Sequence, residues 1–289
     1  MREIGSQSGD RTRTRGSFLV HFLLLVYAAI LAFVVLGLIF KFSVSADIFF
    51  GLSFALLFFA LGQSIYELGF KNAILFLTIT SAIGFFAEVL GTNSGIPFGK
   101  YYYTDFLGEK FLGVPVVVPL VWFVISYLSY SIVAGNSRKF SDSSSKASLI
   151  SKVALLSAFG AVSWDFMIDP MFSAYGYWVW TGQFLPLPEL DGIPLTNFLG
   201  WFVLVSLMIF VCLSLLSPKS GSKLIKRSNA RDSVIAYVLL MIDGVVANFT
   251  LHNFAVIGIG LFAMIAFITI ASYYPKSGNK LESPGQVAT

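Results

Sequence analysis

The chain has 289 residues, 56% of them hydrophobic and only 12% charged, with a net charge of +4. A soluble domain carries about a quarter charged residues, so the composition excludes an ordinary soluble domain and points to an integral membrane protein. The single cysteine, Cys212, excludes an internal disulfide and a cysteine metal cluster.

Residues 1–17 are polar and carry Arg2, Arg11, Arg13 and Arg15; they are expected to form a loose cytoplasmic segment. Apolar runs follow at roughly 18–40, 46–66, 72–90, 113–134, 152–172, 195–216, 233–250 and 254–273. Each is near the ~20 residues that a spanning helix needs. The expected fold class is therefore all-α, a polytopic membrane helix bundle of about eight transmembrane helices over 18–273, followed by a polar tail over 274–289. A tight turn at Leu251-His252-Asn253 joins the last two runs, so seven spans is the alternative count. The first run is too long for a signal-peptide core and no small-residue cleavage site follows it, so it reads as a retained helix.

Positive charge sets orientation. With eight helices and both termini cytoplasmic, 16 of the 19 Lys and Arg fall on the cytoplasmic side, and only Lys41, Lys100 and Lys110 fall outside. The expected location is the cell membrane, with the 91–112 and 173–194 loops on the outer face. The positive charges lie between apolar runs, so topology accounts for them and no nucleic-acid partner is implied.

Gly113-x-Pro115 is followed by Trp122-Phe123, and Gly192-x-Pro194 by Trp201-Phe202, with the same Gly-to-Trp offset. Before each lies an aromatic loop, and before each loop an apolar run ends with acid. This reads as a parallel internal repeat about an axis along the membrane normal, and repeat interfaces often hold the site. Chance recurrence in an aromatic-rich chain is the alternative.

A charge within a span costs about 2.5–3.5 kcal/mol on insertion scales, so each one is a functional candidate. The candidates are Glu88, Asp165, Asp169 and Asp243, all in the outer halves of their helices, which suggests one polar cavity. Asp165 and Asp169 are four apart and share a helix face. Asp169, just before Pro170, is equally well read as hydrated at the interface, and Pro170 is expected to end or kink its helix. Tyr101, Tyr103, Tyr177, Trp178, Trp180 and Trp201 could grip a polyene or steady a developing cation. Interfacial belts account for most aromatics in any membrane protein, but Tyr175, Tyr177, Trp178 and Trp180 are denser than a belt needs. Asn197 could position a water or cap its helix.

Only two histidines, His21 and His252, are present, so no histidine-rich iron site exists. No Gly-x-Gly-x-x-Gly follows a strand, so no nucleotide cofactor is implied. No lysine lies in the middle of a span, which excludes a retinal Schiff base. Asp165-x-x-x-Asp169 resembles half the metal site of membrane prenyltransferases, but their first Asp-rich motif is missing.

The stretch Gly95-Ile96-Pro97-Phe98-Gly99-Lys100-Tyr101-Tyr102-Tyr103-Thr104-Asp105 and the following Gly113-Val114-Pro115 resemble the carotenoid hydratase family of membrane enzymes. The later WDFMIDP (164–170), GYWVW (176–180) and GIPLTNFLGW (192–201) stretches do so too, and the resemblance covers roughly 72–250. It implies an α-helical bundle that adds water to the terminal double bond of an acyclic carotenoid held in the bilayer, with no redox cofactor and no metal. It also allows contact with other membrane enzymes of the carotenoid pathway. The chemistry agrees with the residues. Hydrating a trisubstituted alkene needs a proton donor, an ordered water and a base, and a carboxylic acid among apolar side chains can serve as donor. Glu88 and Asp165 are the expected pair, in either order, with Asp169 and Asp243 in reserve. A non-catalytic lipid or pigment carrier or transporter, and a prenyl-transferring enzyme, are the alternatives.

Overall fold

The computed structural model describes residues 4–42, 46–135, 145–182, 185–216 and 230–272. The tail expected over 274–289 lies outside the described residues, as do the charged stretches 136–144 and 217–229. Eight helices organise the rest: α1 (Ile4–Phe40), α2 (Ala46–Leu68), α3 (Phe70–Ser94), α4 (Val118–Gly135), α5 (Lys146–Ala174), α6 (Leu195–Leu215), α7 (Ala230–Thr250) and α8 (Phe254–Ser272). Each holds a stretch long and apolar enough to cross a membrane. The protein is an all-α polytopic bundle, with eight such helices among the described residues. Between α7 and α8, His252 takes a positive φ of 60° and Asn253 donates its N–H back to the Asn248 carbonyl at 3.0 Å, which reverses the chain.

Two helix boundaries differ from expectation. The helical backbone of α1 starts at Ile4 and takes in most of the polar segment expected to lie loose; no proline stands between Ile4 and Phe40 to stop it. Pro170 does not end α5, which runs on to Ala174. Proline removes one backbone donor, and in a bundle neighbouring helices compensate.

The loops after α3 and α5 contain short strands: β1 (Lys100–Tyr103), β2 (Lys110–Phe111), β3 (Val114–Pro115), β4 (Trp178–Gly182), β5 (Pro186–Leu187) and β6 (Ile193–Pro194). The Gly-x-Pro signatures explain themselves here. β2 and β3 are joined by Leu112-Gly113, with φ of 50° and 84°, a two-residue turn of the kind that needs positive φ at both positions. β5 and β6 close through Asp191-Gly192, with φ of 55° and 77°. Each hairpin feeds straight into a helix. The order is α3, β1, hairpin, α4 in one unit and α5, β4, hairpin, α6 in the other, which supports the duplication read from spacing. β1 and β4 pair antiparallel and tie the units together, with Tyr101 opposite Trp180 and Tyr103 opposite Trp178.

α4 and α5 form the centre of the bundle. α4 has 78% of its span buried, against 28% in α1. α5 packs on α4, α6, α7 and α8, so its acids face protein rather than lipid.

Candidate active site

The site is built first on one face of α3. Gly84, Glu88 and Gly91 are spaced four and three apart, so they lie on one stripe. The two glycines make room. A Cβ at position 84 would stand 2.5 Å from the Trp122 ring, and one at 91 would stand 2.8 Å from Phe98 and 3.0 Å from the Tyr101 hydroxyl. Three donors therefore reach Glu88, which is 4% exposed. Trp122 donates its indole N–H to Oε1 at 2.9 Å, Tyr103 donates its hydroxyl to Oε2 at 2.8 Å, and Tyr101 donates to the same oxygen. Tyr101 and Tyr103 alternate along β1 and point the same way, while Tyr102 between them is exposed. Burial, and then the Glu88 carboxylate, push both phenols well above their usual range, so both stay protonated donors. Lys110 fixes the strand from behind, donating to the Tyr103 carbonyl at 2.8 Å and to Asp105 at 2.7 Å.

This packing makes a prediction. Gly84→Ala forces the Trp122 ring to shift, and overpacking of this kind costs about 1–3 kcal/mol. The variant should accumulate less or melt earlier in detergent, and its activity should fall with the displaced Trp122. An alanine variant with wild-type melting and activity contradicts the close approach.

The second half of the site lies on α5 and α6. Asp165 and Asp169 are one helical turn apart, 1% and 3% exposed. Asn197 of α6 donates one amide N–H to each, at 3.0 Å to Asp165 and 2.5 Å to Asp169. Asn197 makes no capping hydrogen bond at the start of α6; the residue flanking that helix is Pro194. The expected capping role is therefore not seen, and the amide is committed instead to the two aspartates. Trp178 on β4 donates its indole N–H to Asp169 at 2.7 Å. The reading of Asp169 as a hydrated interfacial group does not fit these contacts. The β1–β4 ribbon thus delivers donors to both halves, and Glu88 lies within electrostatic reach of both aspartates.

The aromatic wall of the site comes from the repeat. Trp122 and Trp201 occupy equivalent positions and stack at 4.0 Å between centroids. Phe98 stacks on Trp122 at 6.0 Å, and Trp164 meets Trp201 edge-on at 6.1 Å. Trp180 packs on Tyr101 at 4.9 Å. Tyr177 is set apart from the acids and packs on Phe172 and Phe106.

Asp243 does not join the cluster. It is half-buried on α7 with Tyr27 of α1 as its electrostatic neighbour, and no hydrogen bond ties it to the other three acids. The structure also adds residues that sequence reasoning missed. Trp122 was legible as the repeat mate of Trp201, yet only its contact with Glu88 marks it as part of the site. At the opposite end of the bundle, Glu67 accepts from Tyr127 at 2.7 Å, Ser131 at 3.1 Å and Gln63 at 3.2 Å, and Gln63 donates on to Ser233 at 2.9 Å. This network joins α2, α4 and α7, and the Gln63 amide oxygen in it is buried without a hydrogen-bond partner. Among the described residues, no three His, Cys, Asp or Glu are grouped to hold a metal ion.

The molecule is thus a polytopic helical membrane protein with three buried carboxylates held beneath an aromatic ribbon at one end of the bundle. The chain belongs to the family described as carotenoid biosynthesis protein, which matches residues 43–267. It is also similar to the bisanhydrobacterioruberin hydratase of Haloarcula japonica, at 27% identity over 151 residues, covering 51% of this chain and 47% of that one. The match therefore spans about half the length of that relative. No solved structure matches the chain.

Proposed function

We propose that the protein is a carotenoid hydratase: it adds water across the terminal double bond of an acyclic carotenoid end group and leaves a tertiary alcohol. The observation that carries this is three carboxylates, 1–4% exposed, set among aromatic rings inside an apolar bundle. Family membership supports a carotenoid as substrate, and the hydratase name of the relative supports water as co-substrate.

Hydrogen bonds to a carboxylate favour its charged form. Glu88 receives three, Asp169 two and Asp165 one. Asp165 is therefore the proton donor of the set. Asp169 takes the proton of the attacking water. Glu88, held by Trp122 and the two tyrosines, is a fixed negative charge beside the cation that forms. This differs from the simple Glu88–Asp165 pair expected from sequence, because the hydrogen bonds divide the acids unequally. Trp122 turns its N–H edge to Glu88 and its face to Trp201, so the pair forms an aromatic wall beside the acids. No redox change occurs, so no oxidant or reductant enters the balance. The protein works in the cell membrane with both termini and the 135–151 loop in the cytoplasm, so the ribbon and its acids face the outer leaflet.

Expression in a host that makes lycopene or its elongated C50 relatives tests the activity. The expected product is heavier than its precursor by one water per hydrated end. Unchanged pigment with normal protein accumulation fails the proposal and favours a carrier. Reporter fusions test the orientation. The termini should report from the cytoplasm and the 173–194 loop from outside; a cytoplasmic signal from that loop overturns the orientation.

A further inference from the structure

We propose that Asn248 is a positioning residue: from α7 it holds the turn of α5 that carries Asp165 and Asp169, and so sets where the two acids stand; this rests on the hydration reading above. Met167 lies midway between the two aspartates. At 3.6 residues per turn, a residue two places from each points about 200° away, to the back of the helix. α7 and α8 close on that back face. A Cβ at position 244 would overlap the Met167 Sδ, and one at 260 would stand 2.6 Å from its Cε. Met167 is 1% exposed between them. Asn248, fully buried and one turn beyond Gly244, donates its amide to the Met167 carbonyl at 3.0 Å and to the Gly244 carbonyl at 2.8 Å. Its own carbonyl accepts from Asn253 in the turn to α8, so its backbone and its side chain are both held.

The bond to Met167 falls where α5 is weakest. Pro170 has no N–H to give to the Phe166 carbonyl, one residue before Met167, and a proline inside a helix also crowds that carbonyl. A helix opened in this way bends, and neighbouring helices supply the missing support. A bend here lies between Asp165 and Asp169 and changes the spacing of the proton donor and the base. Asn197 ties the two acids from the front, and Asn248 braces their backbone from behind. The Asn248 Oδ1 is buried without a partner, a cost that leucine at this position would not carry. The donated bonds are what the amide supplies there.

Asn248→Leu removes the donor and keeps close to the volume. Turnover per folded molecule, kcat, should fall about tenfold, because even a small misplacement of a reacting group costs up to about 10²-fold. KM for the carotenoid should stay within about twofold of wild type, since the aromatic wall is untouched. The melting temperature should hold or rise, because an orphaned polar atom leaves with the amide. Unchanged kcat per folded molecule, whether the melting temperature falls or KM rises, overturns the proposal. If the leucine variant does not accumulate, Asn248→Ala carries the same expectation for kcat and the same contradiction. Pro170→Ala gives an independent arm, because it returns an N–H to the Phe166 carbonyl. In that background Asn248→Leu should lower kcat less than it does in the wild type; two effects that simply multiply also overturn the proposal. Wild-type protein that makes no alcohol fails the hydration reading itself, a result distinct from any of these.

Discussion

Asp165→Asn and Glu88→Gln should each nearly abolish alcohol formation while the protein still accumulates in the membrane. A general acid or base contributes typically about 10²–10⁴-fold, and that range is the expected loss for Asp165→Asn. Asparagine keeps the size of the side chain and can still meet Asn197, so the bundle should survive. What it lacks is a proton to give. Glu88→Gln acts by a different route. The amide removes the negative charge beside the cation and turns one acceptor oxygen into a donor. That donor then faces Tyr101, Tyr103 or Trp122, each of which already donates at that carboxylate. Product formation is measured by pigment analysis against immunoblotted protein. A rate above about a third of wild type in either variant would demote that residue to a structural polar group.

Asn197→Leu should be the next most damaging change. The Asn197 amide is the group that bonds both Asp165 and Asp169. A hydrogen bond to a charged group such as Asp169 is worth about 1.5–3 kcal/mol and one to the protonated Asp165 about 0.5–1.5, so losing both costs about 2–4.5 kcal/mol. Spent on the geometry of the reacting acids, that is roughly a 30- to 2,000-fold loss of rate. Leucine fills similar volume, so the helix packing of α5 on α6 should hold. Asn197→Asp should be worse still, because it adds a negative charge at the cluster that already holds those of Asp169 and Glu88. Wild-type turnover in Asn197→Leu would show that the two aspartates orient themselves without it.

Much of this was legible in the sequence, for identifiable reasons. A carboxylate in an apolar run stands out because membranes make it costly, and Glu88, Asp165 and Asp169 were visible on that ground alone. Helix count followed from apolar length. The Gly-x-Pro pairs were legible as marks of a repeat, and only the positive φ of Leu112, Gly113, Asp191 and Gly192 showed that they close hairpins. The β1–β4 ribbon was not legible. It pairs Tyr103 with Trp178 across the intervening helices α4 and α5, and no local pattern encodes a partner that distant. Trp122 was legible as the repeat mate of Trp201, but in a chain with 16% aromatic residues nothing made it a site residue until its indole was seen on Glu88. Asp243 shows the converse. By sequence it equals the other three acids, and only the packing of α7 against α1 sets it beside Tyr27 instead.

The central claim is that the hydroxyl comes from water, delivered at this acid cluster. Purified protein should be given an acyclic carotenoid in water labelled with heavy oxygen, without oxygen gas, without nicotinamide and with divalent metals chelated. The account predicts a tertiary alcohol that carries the label. Alcohol that forms only when oxygen and a reductant are supplied, or that takes its oxygen from the gas, would contradict it.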